Sequence, residues 1–278
     1  MGEYIMMKVD KEKCIGCSLC INDCIVRDIN LVDGKANINN ITCFKCGHCI
    51  AVCPKNAVST DEYNMDDVKD YNKEAFEIDE DNLLNFIKYR RSIRNFKNKD
   101  VENEKLLKII EAGRFTQTGS NSQDVSYIVI KDGIDNLREM TLESLSQMGQ
   151  GILNNLTEET MKIKTYAEMW VQMYEDCKVD PKKGDRLFFN APAVVLVVSN
   201  SQVDGALASS NMELMTNALG LGTFFSGFFI RAAQGNKKIM DYLGLDESKQ
   251  IVTCMVIGYP NIKYLRTTPR KNAEIIWR

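Results

Sequence analysis

Eight of the ten cysteines fall into two runs of identical spacing, Cys14-x-x-Cys17-x-x-Cys20-x-x-x-Cys24 and Cys43-x-x-Cys46-x-x-Cys49-x-x-x-Cys53-Pro54. In this spacing three thiolates of a run hold one [4Fe–4S] cluster and the fourth crosses to the other cluster. Cys14, Cys17, Cys20 and Cys53 are therefore expected on one cluster, and Cys24, Cys43, Cys46 and Cys49 on the second. The crossing forces the two runs to fold as one pseudo-symmetric unit, whatever the rest of the chain does. Disulfides need an oxidising compartment, and no leader-like pattern precedes the first run. Zinc prefers separated C-x-x-C knuckles with four ligands per site, which a tripled and duplicated run does not offer.

Other residues fit the cluster reading. Asp33-Gly34 lies between Ile29–Val32 and Ala36–Ile38, a type I′ hairpin signal. Small and apolar residues between the ligands, such as Ile15, Gly16, Leu19, Gly47 and Ile50, allow close backbone approach and keep water out. Ile25 stands where a proline usually follows the first run, and that position is not a ligand. His48, the only histidine, is expected to be exposed. This region resembles 2[4Fe–4S] bacterial-type ferredoxins over roughly residues 7 to 60, which implies an electron-transfer module.

The chain has 278 residues, 44% apolar and 26% charged, so a second domain follows the first. A net charge of −3 argues against a nucleic-acid surface, and no apolar run has the length to span a bilayer. A cytoplasmic protein is the expectation. An acidic, polar stretch from Ser59 to Asp81 suits a linker, so the domains are drawn as 1–75 and 76–278.

In the second domain, helices are expected around Leu83–Ile87, capped by Asp79 or Asp81, around Leu106–Ile110, over Leu156–Glu175 and over Ala206–Leu219. Strands are expected at Tyr127–Ile130, Val194–Val198 and Ile251–Ile257. The mixture lacks regular βαβ alternation, which predicts an α+β fold. Cys177 and Cys254 have no ligand spacing and read as buried thiols, while Trp170 and Trp277 read as packing or interface residues.

Arg90-Arg91-Ser92-Ile93-Arg94-Asn95-Phe96 concentrates three guanidinium groups and a hydroxyl, a match for phosphate oxygens. Thr118–Gln123 adds amides able to read a heterocycle edge, Gly220–Gly227 adds close backbone and aromatic surface, and Thr268–Lys271 adds charge. In this order the phrases resemble the FMN-dependent nitroreductase family, over approximately residues 78 to 278. The resemblance implies an intertwined homodimer with FMN at each interface site. It places Arg90, Ser92 and Arg94 on the phosphate, ribityl chain and pyrimidine edge, with Arg270 and Lys271 at the phosphate. It further places Thr118, Asn121 and Gln123 on the partner's flavin, and Ser226 and Gly227 near its N5. Gln117 and Asp124 stand where relatives often carry proline, and Asp124 brings a carboxylate toward the expected entrance.

No catalytic side chain is assigned, because the flavin carries the chemistry. No G-x-G-x-x-G follows a strand, so no separate nicotinamide module is expected. The leading expectation is an iron–sulfur flavoprotein whose two clusters load FMN for reduction of a small electron-poor acceptor: a nitroaromatic, a quinone or an activated alkene. Reduced ferredoxin or another low-potential protein is the expected donor. The alternatives are an electron-transfer hub serving another redox protein, and a reductive dehalogenase or flavin-modifying relative.

Overall fold

The computed structural model describes residues 6–246 and 248–278. The chain forms two compact units. One runs to Ile78 and also takes in Thr118–Ser122; the other comprises Asp79–Gln117 and Gln123–Arg278.

In the first unit, β1 (Met7–Val9) pairs antiparallel with β4 (Val58–Thr60), and β2 (Ile29–Val32) with β3 (Lys35–Ile38). Asp33 and Gly34 both take positive φ, 50° and 72°, as the hairpin turn requires. Gly16 also sits at φ +69°, and a Cβ there would lie 2.1 Å from the Gly34 carbonyl oxygen. The first cysteine run can therefore lie against the hairpin turn only with glycine at this position. The core is small: Ile29, Ala36 and Ala57, joined by the ligand residues Cys14 and Cys20. Asp28, 4% exposed, accepts hydrogen bonds from the backbone N–H groups of Ile41 and Thr42 and so fixes the entry to the second run.

The second unit is built on one antiparallel sheet of β5 (Ser126–Ile130), β6 (Ala193–Val198), β7 (Gly222–Phe225) and β8 (Ile251–Gly258), in the order β5-β6-β8-β7. Every residue of β6 is fully buried. Val194 and Leu196 join the core on one face, with Leu142, Leu145, Trp170 and Phe229. Ala193, Val195 and Val197 join the other, with Leu106, Ile109 and Met212. This period-2 division explains why the strand reads as an unbroken apolar run: helices cover both faces. Helices Ile134–Asn154 and Lys164–Val179 pack together, as do Asn103–Arg114 and Gln202–Ala218. The α+β expectation holds.

Asp79 caps helix Glu80–Tyr89 through the Asn82 N–H at 2.8 Å. The single helix expected over 156–175 is instead a short turn, Glu158–Met161, and helix Lys164–Val179. Thr157 and Thr160 form a reciprocal cap that starts the turn. Helix Ile134–Asn154 is not among the elements expected above, and its internal Gly149 does not end it. Gly149 marks a helix crossing instead: a Cβ there would lie 2.6 Å from the Ala167 carbonyl oxygen. A buried ion pair also lies in this layer, with Arg138 Nε 3.1 Å from Asp185 Oδ2. The same carboxylate accepts from the backbone N–H groups of Leu187, Phe188 and Asn190. Among the described residues, no helix is long and apolar enough to cross a membrane.

Candidate functional site

The first unit contains two cavities walled by cysteines. One is lined by Cys14, Cys17, Cys20 and Cys53, with Val9, Ile15, Leu19 and Ala57 among its apolar walls. The other is lined by Cys24, Cys43, Cys46 and Cys49, with Cys20 at their junction. Each thus gathers three cysteines of one run and the last cysteine of the other. Among the described residues no three cysteine, histidine or carboxylate groups converge as a single metal ion demands. The thiols stand around a volume instead, which suits a cubane.

Backbone N–H groups point at the sulfurs of both cavities. Ala36 donates to Cys14 and Ala57 to Cys53, each at 3.3 Å. Asp28 donates to Cys24 and Lys45 to Cys43, each at 3.4 Å. The Ala36 N–H is the main cause holding Cys14 below the ordinary thiol range. Burial first, then the facing Cys43, Cys46 and Cys20 thiols, push Cys49 up to about 12. Burial likewise raises Cys20. Thiols so disposed ionise together only beside strong positive charge, which iron supplies. The residues present fit two clusters. His48 is exposed and contacts Asp23 at 3.1 Å, as a surface histidine would.

In the second unit, two of the phrases singled out in the sequence come together through main-chain pairing. Ser92 forms a parallel bridge with Thr223 on β7, and the Ile93 N–H donates to the Thr223 carbonyl at 3.0 Å. The segment continues along the sheet edge, where Phe96 bridges Pro260. Arg94 lies over the Phe224 ring, 5.3 Å from its centroid. Arg90 pairs with Glu213 on helix Gln202–Ala218. Arg91 donates to the Lys88 carbonyl at 2.8 Å. Several polar atoms here are buried without a hydrogen-bond partner: Arg90 Nε, Arg91 Nε and Nη2, and Thr223 Oγ1. Buried donors are nearly always satisfied in a working structure, so this set fits an anionic ligand rich in acceptor oxygens, such as a flavin phosphate and ribityl chain.

The remaining candidates are placed differently. Ser226 caps helix Gly227–Ala233, its hydroxyl accepting from the Phe229 N–H. Arg270 makes its hydrogen bonds within its own exposed segment, to Thr268 and Pro269, and Lys271 is exposed beside it. Asp124 is engaged by the Ser199 hydroxyl and the Asn200 N–H, at 3.1 and 3.0 Å, so it closes the turn after β6. Thr118 and Asn121 belong to the cluster unit and Gln123 to the other. The Asn121 amide donates to the carbonyls of Phe44 and Lys45, both at 3.0 Å. Phe224 and Phe229 are core residues, Trp170 is buried in the same core, and Cys254 is a buried thiol. Glu213 carried no sequence signal, and Thr223 lay inside the Gly220–Gly227 phrase without being singled out itself: each is placed by a partner more than a hundred positions away.

Residues 87–259 match the model of the nitroreductase family. The chain belongs to that family. Residues 6–54 match a 4Fe-4S dicluster domain. A protein of Archaeoglobus fulgidus, provisionally named NADH dehydrogenase/NAD(P)H nitroreductase, is 25% identical over 64% of this chain and 84% of its own. A component of the ion-translocating oxidoreductase complex of Methanosarcina acetivorans is 38% identical over 16% of this chain and 17% of its own. Among solved structures, a nitroreductase with bound FMN from Bacteroides fragilis superposes with a TM-score of 0.53 at 18% identity, covering 72% of this chain and all of the other. A Clostridium difficile FMN-dependent nitroreductase gives 0.52 at the same identity and coverage. At such identities these superpositions establish the fold. The chain is thus a nitroreductase-family oxidoreductase joined to a dicluster iron–sulfur domain.

Proposed function

We propose that this nitroreductase-family chain binds FMN, receives electrons through its own iron–sulfur unit, and reduces a small electron-poor acceptor such as a nitroaromatic, a quinone or an activated alkene. The observation that carries the reading is the set of unpartnered buried atoms on Arg90, Arg91 and Thr223, pinned beside β7 in a chain that also builds two cysteine cages. When bound, FMN would supply hydride transfer to the acceptor and the clusters one-electron transfer.

The chain's own residues bind and orient. Arg90 and Ser92 hold the phosphate and ribityl oxygens, with the Thr223 hydroxyl beside them. Arg94, stacked on Phe224, presents positive charge to the pyrimidine edge, which favours a reduced, anionic ring. Cys14, Cys17, Cys20 and Cys53 hold the first cluster and Cys24, Cys43, Cys46 and Cys49 the second. Arg270 and Lys271 complete the phosphate site in a homodimer, whose assembly also covers the exposed apolar residues Ile275, Ile276 and Trp277.

Anaerobic stopped-flow with the full chain tests the route. A reduced low-potential protein should reduce the flavin rapidly, and NADPH slowly. Cys53→Ser should damage the first cluster and slow the former reaction. Equal rates with both donors, unchanged by Cys53→Ser, would remove the clusters from the route. Heat release of the flavin and its chromatography should give FMN; FAD would refute the site reading. Light scattering at low concentration should give a dimer, and an active flavin-loaded monomer would refute a shared site.

A further inference from the structure

The two cysteine runs are pseudo-symmetric in sequence, but their surroundings are not. Cys14-Ile15-Gly16-Cys17 corresponds to Cys43-Phe44-Lys45-Cys46. The third residue of each phrase takes the left-handed conformation, Gly16 at φ +69° and Lys45 at φ +56°. Glycine adopts this freely; lysine does so against a steric penalty. Something must hold the second loop in place, and the Asn121 amide does so. Its Nδ2 donates to the carbonyl of Lys45 and to that of Phe44, each at 3.0 Å. In the first run the corresponding Ile15 carbonyl receives no side-chain donor among the described residues, and the Gly16 carbonyl receives only the Ser18 hydroxyl at 3.4 Å.

The Phe44 carbonyl and the Lys45 N–H are two ends of one peptide group, and that N–H donates to Cys43 Sγ at 3.4 Å. A continuous path therefore runs from the Asn121 amide, through the Phe44–Lys45 peptide, to a ligand sulfur. Donation to the carbonyl polarises the peptide and strengthens donation from its N–H. Hydrogen bonds to the ligand sulfurs are among the factors that set an iron–sulfur potential, because they stabilise the more negative, reduced cluster. Asn121 is itself held in the left-handed region, at φ +54°, next to Ser120 at φ +49°, so its turn is built to present this amide.

We propose that Asn121 is a positioning residue for the second cluster: through the Phe44–Lys45 peptide it raises the reduction potential of the cluster held by Cys24, Cys43, Cys46 and Cys49 above that of its twin. With both clusters bound, an electron given by a low-potential one-electron donor to either cluster would reside on the one held by Cys24, Cys43, Cys46 and Cys49, the donor being oxidised by one electron and no bond changing, and that cluster would be the point of departure. The inference rests on the two-cluster reading above. The chain enters the Thr118–Ser122 segment from Gln117 and leaves it at Gln123, so the tuning group is encoded in the nitroreductase part of the sequence and not in the cysteine runs.

The test is an EPR-monitored redox titration of the full, cluster-loaded protein, with Asn121→Gly and Asn121→Asp beside it. Glycine keeps the left-handed backbone and removes the amide; aspartate keeps the shape and cannot donate when ionised. Cys17→Ser and Cys46→Ser assign the two signals. In the native protein the second cluster should be reduced at the higher potential. Both Asn121 variants should move its potential down, on the order of tenfold in its reduction equilibrium or about 59 mV for one electron, and leave the first cluster where it was. An Asn121→Gln variant, which retains the donor, should recover part of the shift. Equal movement of both clusters, no movement of the second, or loss of the second cluster from both variants would overturn the tuning role. In the first two outcomes the two-cluster reading would still stand, because both signals would be present; iron and sulfide content decides that reading separately.

Discussion

The two units are held together by different physics. In the second, β6 is inaccessible along its whole length, with helices packed on both faces. Each fully buried valine or leucine there contributes about 1.5–3 kcal/mol. In the first, the buried residues are Ile29, Ala36, Ala57 and two of the cysteines themselves. Such a core is too small to stand unaided, and ligation takes the place that burial has in the second unit. One unit is thus specified by what it excludes from water, the other by what it binds.

Removing the metal should break the comparison most completely. Anaerobic chelation of the full chain should unfold the cluster unit and leave the sheet of the second unit intact. Segment-resolved proteolysis distinguishes the two, and a protease-resistant, iron-free β2–β3 hairpin would show that burial suffices there too.

The converse break lies at Asp185. Its carboxylate pairs with Arg138 and accepts three backbone N–H groups, so Asp185→Ala leaves three buried donors without partners and a buried guanidinium with only the exposed Asp135 as counter-ion. A loss of about 3–5 kcal/mol is expected in the denaturant-induced unfolding of the second unit. The visible absorbance of the clusters should survive at denaturant concentrations where that unit has melted. A shift of less than about 1 kcal/mol would mean that the pair is well solvated.

Arg90→Ala should weaken flavin binding by about 1.5–3 kcal/mol, about ten- to hundredfold in Kd, with little change in cluster content. Fluorescence titration of the flavin-free protein measures it. An unchanged Kd would assign Arg90 to Glu213 alone.

The smallest effect is expected at Glu102. The Tyr259 hydroxyl, donating at 2.6 Å, is the main cause that holds this carboxyl at about 2 rather than the ordinary 4.5, with Lys99 adding to it. Because the folded value is depressed, its contribution is fully present above the ordinary value and is lost as pH falls from 4.5 toward 2. The side chain is exposed and the effect correspondingly screened. Glu102→Gln should flatten the pH dependence of Tm in that window and barely change Tm at neutral pH. An unaltered acid limb would discard the contact.

Legibility in the sequence followed the same division. Cysteine spacing expresses ligand geometry directly, and Asp33-Gly34 expresses a backbone conformation few other pairs adopt, so both could be read. β6 was legible because a strand covered on both faces must be apolar throughout. Helix Ile134–Asn154 went unnamed, and the close approach that needs Gly149, against the Ala167 carbonyl of another helix, is a tertiary contact with no local pattern. β7 was hidden inside a glycine-rich phrase, since a four-residue edge strand leaves little periodicity to detect. The Arg90 phrase was visible as a cluster of charge. Its Glu213 counter-ion, 123 positions away, was not, because tertiary pairing leaves no local pattern. The Asn121 amide reads in sequence as a group for a heterocycle edge; its hydrogen bonds to Phe44 and Lys45 depend on a turn whose partners lie 77 and 76 positions upstream.

The bridge between Ser92 and Thr223 has one further consequence. β7 is an outer strand of the sheet, and an outer strand with open N–H and C=O groups is a template on which a second molecule can add. The Arg90–Phe96 segment lies along that border and occupies part of it. The stretch that offers positive charge to a ligand therefore also takes up main-chain groups on an open sheet border that an added strand would otherwise pair with.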